Sequence, residues 1–423
     1  MRAVRHRIPL LRELPPEVAV LTAVAFCVAL GFGILAPAIP IFARSFGVSA
    51  FAATAVISAF ALMRFISAPF AGWLTSRIGE RTTIASGLII VAVSSTLAGF
   101  ASDYSHLIVM RAVGGVGSSM FTVAAQALIL RVVDAPSRGR ASAAYQGGFL
   151  IGGVAGPAVG GLVLAISLRA PFFVYAASLG LGAIVCIVFL HPRRMARLNT
   201  STEPEMAVTK SGLPELKIAL RNRAYIAALA ANLAGGLVSF GLRAALVPLF
   251  IIEGLNQSAG LSGAAFLVAA GAQAVLLLPA GRWTDTHGRR IIMIAGTSIT
   301  AVAMLALTLS DLLSNDPSHN SVFGVVMLFV AMAISGLGSA FLGPAPSAVV
   351  GDVIGNSRGG LVVSVFQMMS DLGIVIGPLL GGLLVDAFDF EWAFAMGLVI
   401  MVIALILALL MPETLRRRPP VAE

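Results

Sequence analysis

The sequence predicts an all-α membrane protein in which twelve transmembrane helices form two pseudo-symmetric six-helix bundles. Of the 423 residues, 58% are hydrophobic and only 11% are charged, whereas soluble domains carry about 25% charged residues. The hydrophobic residues fall into twelve long runs, with Lys and Arg concentrated in alternate loops between the runs. Two sequence patterns each occur once in either half, which indicates a duplicated six-helix unit.

The runs give the order of the spans. The first follows a basic start, but it is longer than the apolar core of a signal peptide, so we interpret it as an uncleaved span. We expect six spans in an N-terminal bundle (residues 1–191), a cytoplasmic linker (192–223) and six spans in a C-terminal bundle (224–423). Within the linker, 213–223 is either a short interfacial helix or a solvated loop. The predicted spans are 18–42, 50–73, 83–101, 105–130, 141–166, 171–190, 224–251, 260–282, 290–310, 321–350, 361–385 and 392–411.

The positive charges predict the orientation. Of the 28 Lys and Arg residues, 23 fall in the termini and every second loop, and only Arg44 and Arg169 fall in the other loops. By the positive-inside rule, both termini are cytoplasmic. The net charge of +9 therefore reflects membrane topology and gives no reason to expect a nucleic-acid partner. Short loops and the excess of Arg over Lys suggest the cytoplasmic membrane of a bacterium.

A glycine-proline pattern is the first repeat. Gly152, Gly156 and Gly160 lie four residues apart, so in a helix they form a groove where a neighbouring helix can approach closely. Pro157 lacks an N–H to donate to Gly153, which predicts a bend. The pattern returns 221 residues later, around Gly377 and Pro378.

A glycine-arginine loop pattern is the second repeat, and we expect it to control the cytoplasmic gate. Asp285 would cap a helix start or pair with nearby arginines. The first copy comprises Gly72, Arg77, Gly79 and Arg81, and the second Gly281, Asp285, Gly288, Arg289 and Arg290.

On these motifs the chain resembles the twelve-span drug:proton antiporter branch of the major facilitator superfamily. The fifth-span Gly-Pro pattern and the first-span sequence from Gly31 to Pro40 resemble that branch, and Arg111 followed by Gly115 and Gly117 resembles the family's fourth-span arginine motif. Ser76 stands where the family's loop pattern has Asp, which weakens an electrostatic lock in the first half. We expect the nearby carboxylate of Glu80 to replace that Asp in part.

Two charged residues are candidates for proton coupling. Asp371 is the one acid predicted well inside a span, one turn from Gln367. It could carry the proton, or form a permanent ion pair with a buried arginine. The family resemblance implies that Arg111 takes part in proton transfer by lowering the pKa of a nearby acid. Alternatively, Arg111 snorkels to the external surface, about 9 Å away by helical rise.

Further polar residues within spans predict a wet central cavity for substrate near the bilayer midplane. Arg243 is as compatible with snorkelling as with a cavity role, and Arg64 with a structural counter-charge as with a cavity group. The predicted cavity residues are Gln126, Asn232, Ser239, Arg243, Gln367 and Arg64.

These features predict a transporter that exports small amphipathic molecules in exchange for protons. The sequence has no phosphate-binding loop for ATP and no cluster with catalytic spacing, so we expect neither a primary pump nor an enzyme. Its partners would be substrate, protons and lipid, with no cofactor, metal or nucleic acid, and the chain would act as a monomer. Alternatives are an exporter or symporter of a neutral or anionic metabolite, and a receptor or scaffold that does not transport.

Overall fold

The computed structural model describes residues 15–133, 138–190, 212–314, 321–354 and 360–415. Most of the predicted linker, 192–211, therefore lies outside the described residues. The helices before it are α1 (Pro16–Leu35), α2 (Ala38–Arg44), α3 (Ala50–Ile78), α4 (Glu80–Gly99), α5 (Tyr104–Val132), α6 (Arg138–Ile166) and α7 (Ala170–Phe189).

The short helix α8 (Gly212–Ala219) lies at the end of the predicted linker. The sequence was compatible with either a short helix or a loop in this segment. The seventh span is continuous but irregular. It runs through α9 (Arg223–Gly235), a π-helical segment (Gly236–Leu242), α10 (Arg243–Leu249) and a second π-helical segment (Phe250–Gly254). The remaining helices are α11 (Gly260–His287), α12 (Arg289–Ser314), α13 (Ser321–Leu342), α14 (Pro344–Ile354), α15 (Gly360–Ala387) and α16 (Phe390–Leu410).

The predicted fold class is confirmed. Within the described residues, 11 helices are long and apolar enough to cross a membrane, or 12 if a bent pair is counted as one span. That pair consists of the two parts of α6, Ala144–Pro157 and Val159–Ile166, which are inclined by 43°. The bend occurs beside Pro157, whose missing N–H leaves a carbonyl of the preceding turn unbonded.

The chain divides into two compact units. The first comprises Met1–Ala207 and Ala245–Leu267, and the second comprises Val208–Ala244 and Val268–Glu423. The first unit thus includes the end of the seventh span and the start of the eighth, whereas the sequence analysis assigned every residue after 223 to the second bundle.

Local chemistry explains where several helices begin. Ser49 and Asp103 have extended backbones, and their side chains accept hydrogen bonds from the amides of Ala52 and His106, so each caps a first turn that has no internal partners. Gly79 separates α3 from α4 with a φ of 81°. Glycine adopts that backbone conformation without the steric penalty that other residues meet.

Candidate functional site

In the first unit, the glycines of the Gly-Pro pattern bring α6 against α1. A Cβ on Gly152 would meet the carbonyl oxygen of Phe26. One on Gly156 would lie 2.7 Å from the Cα of Gly33, and one on Gly160 would lie 3.0 Å from the Cα of Ile34. The backbones of the two helices therefore touch along three turns, which is possible only without side chains at these positions.

In the second unit, the later copy of the pattern brings α15 against the seventh span in the same manner. A Cβ on Gly377 would lie 2.5 Å from the carbonyl oxygen of Leu237. A Cβ on Gly241 would lie 3.1 Å from Cδ of Pro378. Both copies of the Gly-Pro pattern are thus helix-packing surfaces, and each packs helices within its own unit.

Arg111 is buried in the first unit, with 2% of its surface exposed. Its guanidinium carbon lies 4.4 Å from the ring centroid of Phe60 on α3, a cation–π contact. The position is set by Gly115, one turn later, where a Cβ would collide with the carbonyl oxygen of Phe60. Because Arg111 is enclosed, it does not snorkel to the surface.

The polar surroundings of Arg111 leave its expected role in proton transfer as a prediction. Its Nε is buried without a hydrogen-bond partner. Among the described residues, no carboxylate pairs with its guanidinium. Tyr175 on α7 is also buried, and its ring packs against that of Phe32 at a centroid distance of 6.5 Å. Arg64 on α3 is half-buried.

Arg243 in the second unit is also buried, and its Nη1 donates a 2.8 Å hydrogen bond to the hydroxyl of Ser335 on α13. Ser239, one turn earlier, lies 3.4 Å from the hydroxyl of Ser339 on the same helix. These polar groups join the seventh span to α13. The Nε of Arg243 has no partner.

Other polar side chains of the seventh span bind α15. Asn232 donates a 2.6 Å hydrogen bond to the carbonyl of Phe366, and Tyr225 donates a 2.7 Å bond to that of Val362. The structure therefore uses Asn232 for helix-to-helix bonding within the second unit.

The side chains of the remaining predicted proton-coupling and cavity residues are partly or fully exposed. Asp371 and Gln126 are half-buried, and Gln367 is exposed. Asp371 directly follows Ser370 in α15. The carbonyl oxygen of Ser370 lies against Gly236, the first residue of the first π-helical segment, where a Cβ would collide with it. Irregular helical turns of this kind are frequent at functional sites.

In the first copy of the loop pattern, the ion pair is made by Glu80. Its carboxylate lies 2.7 Å from Nη1 of Arg131 at the end of α5. Arg81 donates a 2.8 Å hydrogen bond to the carbonyl of Ile187, and Arg77 lies over the ring of Trp73. Gly72 faces Val123 at ordinary contact distance. The Ser76 hydroxyl donates a hydrogen bond to the carbonyl of Trp73 in its own helical turn.

In the second copy, Asp285 pairs with Arg289 at 3.5 Å, but the cap of the next helix comes from elsewhere. The carboxylate of Glu413 accepts hydrogen bonds from the amides of Arg289 and Arg290, at 2.9 and 3.1 Å. Gly288 makes room for Glu413 and has a φ of 116°. The expected alternative in which Asp285 caps a helix is therefore wrong for α12.

Arg289 and Arg290 connect this cap to two further helices of the second unit. Nε of Arg289 donates a 3.0 Å bond to Asp352 at the end of α14, and Thr414 bonds the same carboxylate at 2.8 Å. Arg290 donates to the carbonyl of Leu409 in α16. Gly281 has open space around it. Three elements distant in the sequence thus meet at this loop.

The amides around Glu413 lower the pKa of its carboxyl. Partial burial acts to raise this pKa, but the backbone amides of Leu415, Arg289, Arg290 and Thr414 together outweigh it. The charged form of Glu413 is therefore the form that the folded structure stabilises.

Sequence reasoning missed several charged residues. Asp311 lies near the end of the span formed by α12, is 1% exposed and accepts a 2.7 Å hydrogen bond from the amide of Glu391. Arg44 forms a two-point ion pair with Glu253, at 2.6 and 2.8 Å, within the first unit. No local pattern marks these pairs, because their members are distant in sequence. The positions of Asp311 and Glu253 near the ends of apolar runs were the available signal.

Comparison with known proteins gives a consistent result across the chain. A family model described as Major Facilitator Superfamily matches residues 21–244 and 233–423. The chain is 27% identical to "Multidrug resistance protein 1" of Bacillus subtilis over 395 residues, covering 91% of this chain and 93% of that protein. It is 28% identical to "Quinolone resistance protein NorA" of Staphylococcus aureus over 240 residues, covering 55% and 58% respectively.

One further sequence relative and one solved structure are also similar to the chain. The chain is 27% identical to the human "Synaptic vesicular amine transporter" over 336 residues, covering 78% of this chain and 61% of that protein. Among solved structures, a bacterial homologue of the human lysosomal transporter Spinster superposes with a TM-score of 0.71 at 16% identity, covering 93% of this chain and 96% of that one. At such low identity this likeness concerns the fold alone.

Proposed function

Because the chain belongs to the major facilitator superfamily, we propose that it is a secondary active transporter that expels small amphipathic, drug-like molecules in exchange for protons. The observation that carries this proposal is the similarity to a multidrug resistance protein over 91% of the chain. Similarity to a quinolone resistance protein supports it over a shorter region. Transport would proceed by alternating access, in which the binding groups face one side of the membrane at a time.

Asp371 is the residue that we propose carries the proton. A carboxyl group can be neutral or charged, whereas an arginine stays charged at any physiological pH. A charged group within a span costs at least about 2.5–3.5 kcal/mol on insertion scales, so its presence there calls for a function or a partner. The half-buried position of Asp371 beside the irregular turn of the seventh span is compatible with a group that exchanges protons.

The proposed orientation has both termini in the cytoplasm, following the positive-inside pattern, and places the protein in the cytoplasmic membrane as a monomer. In this orientation the two glycine-arginine loops lie on the cytoplasmic side. The Glu80–Arg131 pair and the Glu413 cap would then stabilise the cytoplasmic ends of the helices within each unit. We assign these contacts to gating.

The test is substrate efflux driven by a pH gradient in proteoliposomes. We expect Asp371→Asn to abolish gradient-driven efflux of a fluorescent drug, because an amide cannot bind and release a proton at this pH. Asp386→Asn is the matched control. Asp386 lies exposed near the end of the same helix, α15, so its substitution should leave efflux intact.

If the Asp371→Asn variant folds and retains full gradient-driven efflux, the proton uses another group and the assignment of Asp371 is wrong. If the wild-type protein expels the drug equally well with and without the gradient, proton coupling itself is wrong. A panel of dyes, drugs and metabolites, measured in cells with and without the protein, would identify the substrate.

A further inference from the structure

We propose that Arg44 and Glu253 form a reversible lock on the external gate of the transporter, and that this lock must break before the protein opens to the outside. The ion pair joins the ends of the first and seventh spans on the side that the charge distribution assigns to the exterior. The inference rests on the proposed transport by alternating access. It does not depend on the substrate or on proton coupling.

Two parallel hydrogen bonds hold the pair. Nε and Nη2 of Arg44, at the end of α2, donate to the two carboxylate oxygens of Glu253, at 2.6 and 2.8 Å. Nη1 of the same guanidinium donates to the carbonyl of Val48, which ties the arginine to the loop that follows α2. A two-point contact between arginine and a carboxylate fixes both distance and direction. The end of the seventh span is therefore held in one position against α2.

The two residues occupy equivalent positions of the sequence repeat. Gly79 and Gly288 each separate two helices of the loop pattern with a positive φ, and they are 209 residues apart. Arg44 and Glu253 have the same separation of 209 residues. The first span of each six-helix repeat thus ends in a charged residue, and the two charges are opposite. Like charges at these positions would repel each other, whereas opposite charges attract.

A second contact holds the same part of the chain. The end of the seventh span and the start of the eighth, Ala245–Leu267, belong to the first unit, and we call this segment the corner. A Cβ on Gly161 in α6 would lie 2.9 Å from the Cα of Gly263 in α11, and one on Gly263 would collide with the backbone of Gly161. While both contacts persist, no solute can pass between the corner and α2 or α6.

Both contacts are of a kind that can separate. The side chains of Arg44 and Glu253 are 34% and 28% exposed. Ion pairs with such access to water contribute little to stability, because water replaces the partner when the pair breaks. Two glycine surfaces have no side chains that interlock, so they can part without steric hindrance. Contacts that are specific in direction but weak in energy suit a gate that opens in each transport cycle.

The backbone of the corner has a place where it can bend. Glu253 lies in the second π-helical segment, which follows Pro248, a residue without an N–H for a helical hydrogen bond. The amide of Leu255 donates to the carbonyl of Phe250, five residues earlier. Irregular turns of this kind are frequent at functional sites. Bending here would lift Glu253 from Arg44 while the rest of the seventh span keeps its packing.

The first test measures distances in the purified full-length protein, without substrate or gradient. Cys27 and Cys186 are replaced by alanine, and nitroxide labels are attached after the substitutions Ser102→Cys and Ser258→Cys, at two exposed positions. This corner pair of labels joins a loop of the first six spans to the corner. Labels after Ser45→Cys and Ser102→Cys, both within the first six spans, form the control pair. Pulsed electron paramagnetic resonance gives the distribution of distances for each pair.

We expect Arg44→Gln and Glu253→Gln each to increase the long-distance population of the corner pair by about two- to fivefold, the shift that loss of a partly exposed ion pair allows. The exchange of charges, Arg44→Glu together with Glu253→Arg, should return this population towards that of wild type. The attraction between the two positions does not depend on which of them is positive.

Two controls show whether the effect is specific to the lock. Arg169→Gln removes another arginine of the predicted external side, whose Nη2 donates to the carbonyl of Ala101 within the first six spans. This substitution should leave the distances of the corner pair unchanged. The distances of the control pair should stay the same in every variant.

The second test closes the gate permanently. Arg44→Cys and Glu253→Cys are joined by a reducible bifunctional methanethiosulfonate whose length matches that of the original pair. Drug efflux from proteoliposomes should stop and should return when a reductant cleaves the link. Ala101→Cys joined to Arg169→Cys is the matched control, because that link connects two loops of the first six spans and should leave efflux intact.

Identical distances of the corner pair in wild type and in both neutral variants would overturn the proposal, because the corner would then be a permanent part of the first unit. So would a shift that the exchange of charges does not reverse, a cross-link that fails to form, or full efflux by the cross-linked protein. If the wild-type protein does not expel the drug, the proposed function fails, but the distances still decide on the lock because they require no transport.

Discussion

Buried arginines are the residues of this protein whose roles depend most on their surroundings. Arg243 donates to Ser335 and so joins two helices of the second unit. Arg111 lies against the face of the Phe60 ring, and no carboxylate among the described residues pairs with it. The same residue type at comparable depth therefore has a hydrogen-bonded hydroxyl partner in one unit and an aromatic partner in the other.

Glu413 is the residue whose effect on stability should depend most clearly on pH. Its pKa is lowered in the folded state, mainly through four backbone amides that outweigh partial burial. The charged carboxylate therefore stabilises the fold above its unfolded pKa, and this contribution is lost as the pH falls through the folded pKa. The contact lies outside the membrane-spanning segments, where protons have access.

We predict that Glu413→Gln weakens the cap of α12 by about 1 kcal/mol, as for other helix caps. At neutral pH, hydrogen exchange in a peptide covering 288–295 should be about fivefold faster than in wild type. The difference should shrink at a pH well below the ordinary range for glutamate, where both side chains are neutral. A difference that stays constant across this range would show that the charge of Glu413 does not hold the cap.

At the scale of elements, two proline-containing helices of the same repeat differ in shape. The parts of α6 on either side of Pro157 are inclined by 43°, whereas α15, with Pro378, counts as one span. The irregularity in the second unit lies in the partner helix, which has a π-helical segment from Gly236 to Leu242 opposite Gly377 and Pro378. The departure from regular helix beside the glycine-proline contact thus lies on α6 itself in the first unit and on the partner helix in the second.

The contact between α6 and α1 gives a prediction at this scale. Gly156→Val should destabilise the protein by about 1–3 kcal/mol, because a side chain would force the backbones of α6 and α1 apart. Gly153→Ala is the control. It lies on the same helix with nothing within 4 Å of a Cβ, and alanine favours helix over glycine by about 1 kcal/mol.

Thermal unfolding of both variants in detergent measures the effect. The control should be as stable as wild type or more so. Equal stability of Gly156→Val and wild type would mean that α6 and α1 do not touch at this position.

At the scale of the whole molecule, we predict the orientation in the membrane from the distribution of charge. The segments assigned to the cytoplasm include the ends of α3 and α11 and the segment after α16, where the ion pairs of both loop repeats lie. The opposite side has fewer basic residues, and Arg44 there is paired with Glu253. Since unpaired positive charge hinders transfer across a membrane, this distribution favours one orientation.

Cysteine labelling tests the orientation. In a chain with Cys27 and Cys186 replaced by alanine, Ser102→Cys should react with a membrane-impermeant maleimide added to intact cells, because it is exposed in a predicted external loop. Ser76→Cys, exposed at the predicted cytoplasmic end of α3, should react only after the cells are opened. The reverse pattern would invert the topology.

The sequence alone determined the fold class and the family, since hydrophobic length, charge asymmetry and repeated glycine patterns are local properties of the chain. It also placed Gly152, Gly156 and Gly377 on helix faces, because helical spacing decides which residues share a face. Only the tertiary structure decided which helices these faces meet, that Glu413 and not Asp285 caps α12, and that Glu80 pairs with Arg131. Each of these contacts joins residues far apart in the sequence, and the spacing of residues along a helix contains no information about the partner that packing brings to it.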